Sequence, residues 1–316
     1  MPMKRRTFVT KTVQTGIALS TLPLVSRCNR SGTGLLPKRH LGRTGESLSI
    51  LGFGGIIVSN IDQQDANNRV TRAIDQGCNY FDVAPSYGNA QDMLGPALAP
   101  YRKNCFLACK TLKRDAAGAE EELNTSLEKM KTDYFDLYQM HAMSSVDDVE
   151  KVFGTGGAIE TFTKAKKEGK VRFLGFSAHS QDAALLAMEQ FDFDTILMPV
   201  NFVCWFKGNF GPAAIEKAKE KKMGILALKG LALTKLQEGQ PRPYEKAWYM
   251  PIEDDAIGDL SLRFTFSLGV TAAIPPGEYK FWDKAVNTAL KSTDISEGEI
   301  AQLQETAKNI EPLFRA

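Results

Sequence analysis

The chain has 316 residues, of which 43% are apolar and 24% charged, the ordinary globular range and enough for one large domain or two small ones. Its 39 Lys and Arg against 37 Asp and Glu leave a formal net charge of +2, which excludes the electrostatic footprint of a nucleic-acid-binding protein. Three His, and five Cys with no C-x-x-C pair, exclude the common metal-ligand spacings.

The first feature in chain order is a targeting pattern. "KRRTFVTK" (4–11) is basic, and "TGIALSTLPLV" (15–25) behind it is apolar, uncharged and too short to span a bilayer as an ordinary helix. Arg5-Arg6 followed by Thr7 and Phe8 reads as a twin-arginine signal, which implies the export machinery as a partner and the periplasm as the destination. Cys28 follows the apolar run, so a lipoprotein anchor is a second expectation, against which Arg27 stands where a small residue precedes a lipidated Cys. Membrane attachment is expected only through such a lipid. The expected division is residues 1–35 for signal and linker and 36–316 for the folded domain.

The next segment, "PKRHLGRTGESLSI", has Thr44-Gly45 between two short runs and predicts a β-hairpin. From residue 48 onward, eight short apolar runs follow: "SLSILGFGG", "NYFDVAP", "NCFLACKT", "YFDLYQMHA", "VRFLGFSA", "DTILMPVN", "GILALKG" and "TAAIPP". Each is bounded by turn residues, as a strand buried on both faces requires. Helical spacing separates them. Leu123, Leu127 and Met130 mark one face of 120–132; Ile159, Phe162 and Ala165 mark one face of 159–169, where Gly169 supplies the stop. The Lys-rich runs 164–170 and 216–222 read as solvated helix faces, and Cys105 and Cys109 as buried free thiols.

Eight strand–helix units over roughly 250 residues predict a parallel (β/α)8 TIM barrel, with the hairpin plugging its bottom. The first strand–helix junction has "FGG" (53–55) in place of Gly-x-Gly-x-x-Gly, so the Rossmann fingerprint is missing.

In such a barrel, chemistry gathers at the C-terminal ends of the strands. Strand two of the eight delivers Asp82, with Tyr87 in the Pro85–Gly88 turn behind it; strand three delivers Lys110 and strand four His141. A free phenol has a pKa near ~10 and is a poor acid or base at neutral pH. A neighbouring ammonium favours its ionised form, and a carboxylate holds that ammonium in place. A His adds a hydrogen bond to a substrate oxygen. Together these groups suit proton delivery to a carbonyl oxygen while hydride arrives from a nicotinamide.

From about residue 36 to 315 the sequence resembles the aldo-keto reductase family. "DVAPSYGNAQDMLGPAL" is similar to the family's segment bearing Asp and Tyr, "ACKT" and "QMH" to its Lys and His segments, and "HLGRTGESLSILGFGG" to its opening hairpin and first strand. The resemblance implies that Tyr87 is the general acid/base, that Lys110 and Asp82 tune it, and that His141 orients a small carbonyl or alcohol substrate. It also implies NADP(H) or NAD(H) as cofactor, held by Gly54, Ser177, Asn201, Lys229, Gly230, Gly277 and Asn287, and no metal.

The cofactor side departs from the family pattern. Ala178 replaces an Asn, Met198 stands for a Gln, Asn201 for a stacking aromatic, and "KGLA" (229–232) for Ser-Pro-Leu. Near the last strand, Glu278 and Asp283 take positions usually held by Ser or Thr and by a basic residue, which disfavours a 2′-phosphate. A nucleotide bound tightly before export is expected, with Phe281 or Trp282 as a cover for the adenosine. Trp205, Phe206, Trp248 and Tyr249 are candidates for an apolar substrate pocket. The rival reading is a non-catalytic exported barrel that has lost its cofactor affinity. A metal-dependent hydrolase is poorly served by three His.

Overall fold

The structure is a computed structural model that describes residues 34–237, 239 and 241–316. The export pattern and Cys28 lie outside the described residues. No helix among the described residues is long and apolar enough to cross a membrane.

Two short strands, β1 (Lys38–His40) and β2 (Ser47–Ser49), pair antiparallel as the expected hairpin. The barrel strands are β3 (Phe53–Gly54), β4 (Tyr80–Asp82), β5 (Phe106–Thr111), β6 (Phe135–Met143), β7 (Val171–Ala178), β8 (Thr195–Pro199), β9 (Gly224–Leu228) and β12 (Ala272–Ile274). They form one parallel sheet in the order β12-β9-β8-β7-β6-β5-β4-β3, and a parallel bridge from Leu51 to Ala273 joins its two edges. All eight apolar runs of the sequence thus become the staves of a (β/α)8 barrel.

Between them lie α1 (Gln63–Asp75), α2 (Ala90–Leu98), α3 (Ala116–Lys129), α4 (Val146–Phe153), α5 (Ala158–Lys167), α6 (Gln181–Gln190), α7 (Phe202–Phe206), α8 (Pro212–Glu220), α9 (Asp255–Ser267) and α10 (Tyr279–Lys291), followed by α11 (Glu297–Ala307). Side-chain caps start several of them, such as Asp115 on α3 and Asp254 on α9, each accepting from a backbone N–H at 2.8 Å.

The strands alternate between two apolar layers, because successive side chains point to opposite faces. Tyr80, Phe106, Leu137, Leu197 and Leu226 fill the barrel interior, while Phe81, Cys109, Tyr138, Ile196 and Met198 pack in the larger core with the helices. Leu41 and Leu48 of the hairpin join the interior layer. The hairpin closes the N-terminal end: Thr271 Oγ1 donates to the His40 carbonyl at 3.0 Å, and Arg39 Nη1 to the Phe266 and Val270 carbonyls. Gly42, at φ +52°, approaches β9 so closely that a Cβ would stand 2.3 Å from Gly224 N. Cys78, Cys105, Cys109 and Cys204 are buried free thiols.

One element was not legible as such. A second hairpin, β10 (Ala232–Lys235) with β11 (Tyr249–Pro251), forms in a region whose second half reads as loop. The residues leading into β11 are fastened on both sides. Glu245 Oε1 accepts from Asn60 Nδ2 at 2.8 Å, Lys246 Nζ donates to the Ile57 carbonyl at 3.0 Å, and Lys246 N donates to Glu278 Oε1 at 3.1 Å. This strap joins the loop after β3 to the start of α10.

Candidate active site

Three neighbouring strands carry the central polar residues, two of them charged. Asp82 ends β4, Lys110 is the penultimate residue of β5, and both are buried. Lys110 Nζ pairs with Asp82 Oδ1. The other carboxylate oxygen accepts from Tyr80 Oη at 3.3 Å and Gln139 Nε2 at 3.2 Å. Tyr87 N donates to the Ala84 carbonyl at 3.1 Å and Gly88 takes φ +60°, so the turn folds back on the strand end. The Tyr87 hydroxyl comes to 3.3 Å from Lys110 Nζ, and the ammonium lies 5.0 Å from the ring centroid. His141, near the end of β6, meets the Tyr87 ring edge-on at 5.8 Å. The four residues that the sequence nominated therefore form one cluster.

Tyr80 and Gln139 were not nominated. The signal was available: each stands two residues from a nominated residue on the same strand, so the strand period puts Tyr80 with Asp82 and Gln139 with His141. Arg114 was also missed. Its Nη2 donates to the His141 carbonyl at 2.8 Å and the Ala142 carbonyl at 3.2 Å, and its Nε pairs with Asp148 at 3.2 Å. Ala142 is left-handed (φ +54°), a bend that Arg114 and the Ser177 hydroxyl, which accepts from Ala142 N at 2.7 Å, hold in place. No sequence pattern announces a non-glycine residue in that conformation.

Burial works against the Lys110 charge, but Asp82 and then Tyr87 outweigh it, and its pKa rises. For Tyr87 the balance corrects the expectation. Burial is the largest influence and raises the phenol pKa; Lys110 opposes it, Asp82 reinforces it, and the net shift is upward. The ammonium restrains the rise rather than producing a phenolate, so the resting group is a neutral acid. His141 is pushed down to about 2, by burial first and then by Lys110, His179, Arg114 and Lys229, and it is a neutral imidazole at physiological pH.

The residues nominated for cofactor binding are scattered more widely. Asn201 caps α7, its Oδ1 accepting from Cys204 N at 2.9 Å, while its buried Nδ2 has no partner. Met198 packs outward among the helices, so the inward-facing residue of that stretch is Leu197. Gly54, Gly230 and Gly277 leave room for protein neighbours: a Cβ would lie 2.9 Å from Ile274 Cγ2, 3.0 Å from Thr265 Oγ1 and 2.7 Å from Ile56 Cγ2, respectively. Asn287 opens into a cavity of about 400 Å³ between α9 and α10, with Leu231, Asp255, Lys284 and Thr288 also on its walls. Lys229 lies with its Nζ 4.5 Å from the Tyr249 ring centroid and 5.1 Å from that of Trp248.

Two expectations near the last strand change. Asp283 does not line the Asn287 cavity; it turns to α1 and pairs with Arg72 at 2.9 Å. Glu278 accepts from the strap, in a separate cleft of about 430 Å³ with Arg69 and Lys246. Phe281 and Trp282 are buried, Trp282 edge-on to Phe53 at 5.3 Å with Nε1 donating to Gln76 Oε1, so neither ring is a cover for a nucleoside. Trp205 and Phe206 pack against Phe264, whereas Trp248 and Tyr249 border the mouth beside Lys229.

Residues 50–249 match the sequence pattern of the Aldo/keto reductase family. The chain belongs to that family. Among curated relatives, an uncharacterized oxidoreductase of Bacillus subtilis, YqkF, is 31% identical over 155 residues, 45% of this chain and 48% of its own length. L-galactose dehydrogenase of Arabidopsis thaliana is 27% identical over 228 residues, 66% of this chain and 70% of its own length. In several of these relatives, then, the matched segment spans about half the protein. Among solved structures, the holo form of aldo-keto reductase AKR11C1 from Bacillus halodurans superposes with a TM-score of 0.68 at 22% identity, covering 88% of this chain and 98% of that one.

Aldo/keto reductases carry out NAD(P)-dependent oxidoreduction of carbonyl compounds. The residues of this aldo/keto reductase fit a nicotinamide dinucleotide. The buried Nδ2 of Asn201 is an unpartnered donor, and the Asn287 cavity is lined by both apolar and polar side chains.

Proposed function

We propose that this protein interconverts a carbonyl compound and its alcohol, with Tyr87 exchanging the proton at the substrate oxygen. One observation carries the reading: the continuous chain from Asp82 through Lys110 to the Tyr87 hydroxyl, with His141 at the edge of the Tyr87 ring. When bound, the nicotinamide supplies or receives the hydride. Ser177, Asn201, Lys229, Asn287 and the backbone at Gly54, Gly230 and Gly277 are the residues proposed to hold the dinucleotide.

The protein's own part is proton handling and orientation. In reduction, the neutral Tyr87 gives its proton to the carbonyl oxygen as negative charge develops there. The Lys110 ammonium, held by Asp82, stabilises the phenolate that remains. His141, kept neutral, offers a ring N–H to the same oxygen without competing as an acid. Arg114 acts at one remove, by fixing the backbone that carries His141.

Residues 1–35 are proposed to direct twin-arginine export to the periplasm, with lipidation at Cys28 as the only route to a membrane. The support is the Arg5-Arg6-Thr7-Phe8 pattern and the apolar run behind it. An exported reductase that released its nucleotide each cycle would stall, so the nucleotide is proposed to be bound before export and retained. We assign retention to the strap that Glu245 and Lys246 fasten to Asn60, Ile57 and Glu278. Full-length protein purified without added nucleotide should carry close to one equivalent, and tryptophan emission should respond to nicotinamide nucleotide once it is stripped. Failure of all four nicotinamide nucleotides to bind would leave a non-catalytic barrel.

A further inference from the structure

Two residues of the barrel interior stand behind the Asp82–Lys110–Tyr87 chain. Gln139 lies beside Lys110 in the register of β5 and β6, and its side chain reaches across to β4, where Nε2 donates to Asp82 Oδ2 at 3.2 Å. Tyr80 shares the inward face of β4 with Asp82, two residues away, and its hydroxyl donates to the same oxygen at 3.3 Å. Gln139, Tyr80, Asp82 and Lys110 are all buried. The other carboxylate oxygen, Oδ1, takes Lys110. The two oxygens of Asp82 thus have separate partners, the ammonium on one and two neutral donors on the other.

Both donors are held to that task. The Gln139 amide can meet a carboxylate only with its nitrogen, since the reverse orientation would set two acceptors against each other. Its Oε1 is buried with no partner among the described residues, so the carboxylate is what an amide gains there over an apolar side chain. Burial first, and then the Asp82 charge, hold the Tyr80 phenol well above its usual range, so it keeps its proton and donates. Its ring is fixed in place: a Cβ at Gly52 would stand 2.4 Å from Tyr80 Cδ1, and Phe106 meets the ring edge-on at 6.1 Å.

We propose that Gln139 and Tyr80 are positioning residues that tune proton transfer at Tyr87 by sharing the charge of Asp82. This rests on the reductase reading above and deepens it. Lys110 favours the Tyr87 phenolate and Asp82 opposes it, while the other ionisable groups beside Tyr87, namely Cys109, His141 and Tyr249, are kept neutral by burial. Hydrogen bonds to Oδ2 draw the carboxylate's charge onto the oxygen that Lys110 does not bond. That weakens the opposition of Asp82 and leaves more of the ammonium's attraction for the phenolate. Without the two donors, the phenolate forms less readily in either direction of the reaction.

Gln139→Leu and Tyr80→Phe each remove one donor and keep the bulk of the side chain. In single turnovers with an aldehyde, each should slow hydride transfer roughly threefold to thirtyfold, part of the worth of a hydrogen bond to a charged group, with nucleotide affinity unchanged. In a Tyr87→Phe background the same substitutions should cost nothing further, because no phenol remains to tune. No slowing in either variant, or the same slowing in both backgrounds, would overturn the proposal; the second result would leave the two residues as packing alone. A further readout is independent of turnover. In ring-labelled protein the Tyr87 Cζ resonance, identified by its loss from Tyr87→Phe, should begin its ionisation shift at higher pH in each variant than in wild type. That displacement in a protein that turns over no aldehyde would uphold the role of Gln139 and Tyr80 and remove the reductase reading. An ionisation shift that starts at the wild-type pH in both variants would overturn the proposal.

Discussion

The Tyr87 hydroxyl and the Lys110 ammonium stand 3.3 Å apart, with Lys110 and its partner Asp82 buried and Tyr87 partly so. The distance is that of a hydrogen bond. The pair's stability depends on the third member. Replacing Asp82 by Asn leaves the ammonium buried without a counter-charge, which costs about 3–5 kcal/mol. Denaturant unfolding of Asp82→Asn should show that loss. The double variant Asp82→Asn, Lys110→Met should recover part of it, because the uncompensated charge is gone. A single variant as stable as wild type would mean that the ion pair is not closed as described.

Acid sensitivity follows from the two mouth histidines. His141 is depressed to about 2 and His179 to about 4, in both cases by burial first, followed by neighbouring cations. In the unfolded chain a His titrates near ~6.5. Between those values the unfolded state binds more protons, so stability is fully present above pH ~6.5 and declines as pH falls towards the folded values. Thermal unfolding between pH 7 and 5 should show this decline, and His141→Asn with His179→Asn should make the slope shallower. The same shift predicts no histidine inflection near pH 6.5 in the kcat profile.

If the dinucleotide occupies the Asn287 cavity as proposed, its 2′ preference is set by residues of α9 and α10. Lys284 pairs with Asp255 at 2.7 Å on the wall of the Asn287 cavity. While that pairing holds, Lys284 is a poor partner for a 2′-phosphate, and Asp255 suits a ribose hydroxyl. Asp255→Asn should release the lysine and raise NADPH affinity relative to NADH by roughly threefold to tenfold, a partly exposed charged contact. Fluorescence titration of the stripped protein measures it. A ratio that stays at the wild-type value would separate this cavity from the 2′ position.

The barrel was legible because its strands are buried on both faces. Runs such as "NCFLACKT" carry no polar alternation to confuse with a surface strand, and β5 is buried along its whole length. The Asp82–Lys110–Tyr87–His141 cluster was legible because a charge at the end of an apolar run is costly to bury unless a partner or a reaction makes use of it. What escaped depends on contacts far apart in sequence. The strap is fixed by Asn60, Ile57 and Glu278, distant from Glu245 and Lys246 along the chain. The orientation of Asp283 depends on helix phase: residues 284, 287, 288 and 291 share the cavity face, and 283 falls on the face toward α1. Trp282 reads in sequence as a candidate cover for the adenosine, and it is buried because Phe53 and Gln76 receive it. The upward shift of Tyr87 required knowing that burial exceeds the pull of one ammonium.

The most direct test of the account is hydride transfer by Tyr87→Phe in a single turnover. The substitution removes one hydroxyl and keeps the ring against His141. With nucleotide loaded and an aldehyde mixed in, the rate of nicotinamide oxidation should fall by about 10² to 10⁴, the usual worth of a positioned acid. Far-UV circular dichroism and nucleotide affinity report whether the barrel is intact in the same preparation. A single-turnover rate within threefold of wild type would contradict the role given to Tyr87 and, with it, the reading of the whole cluster.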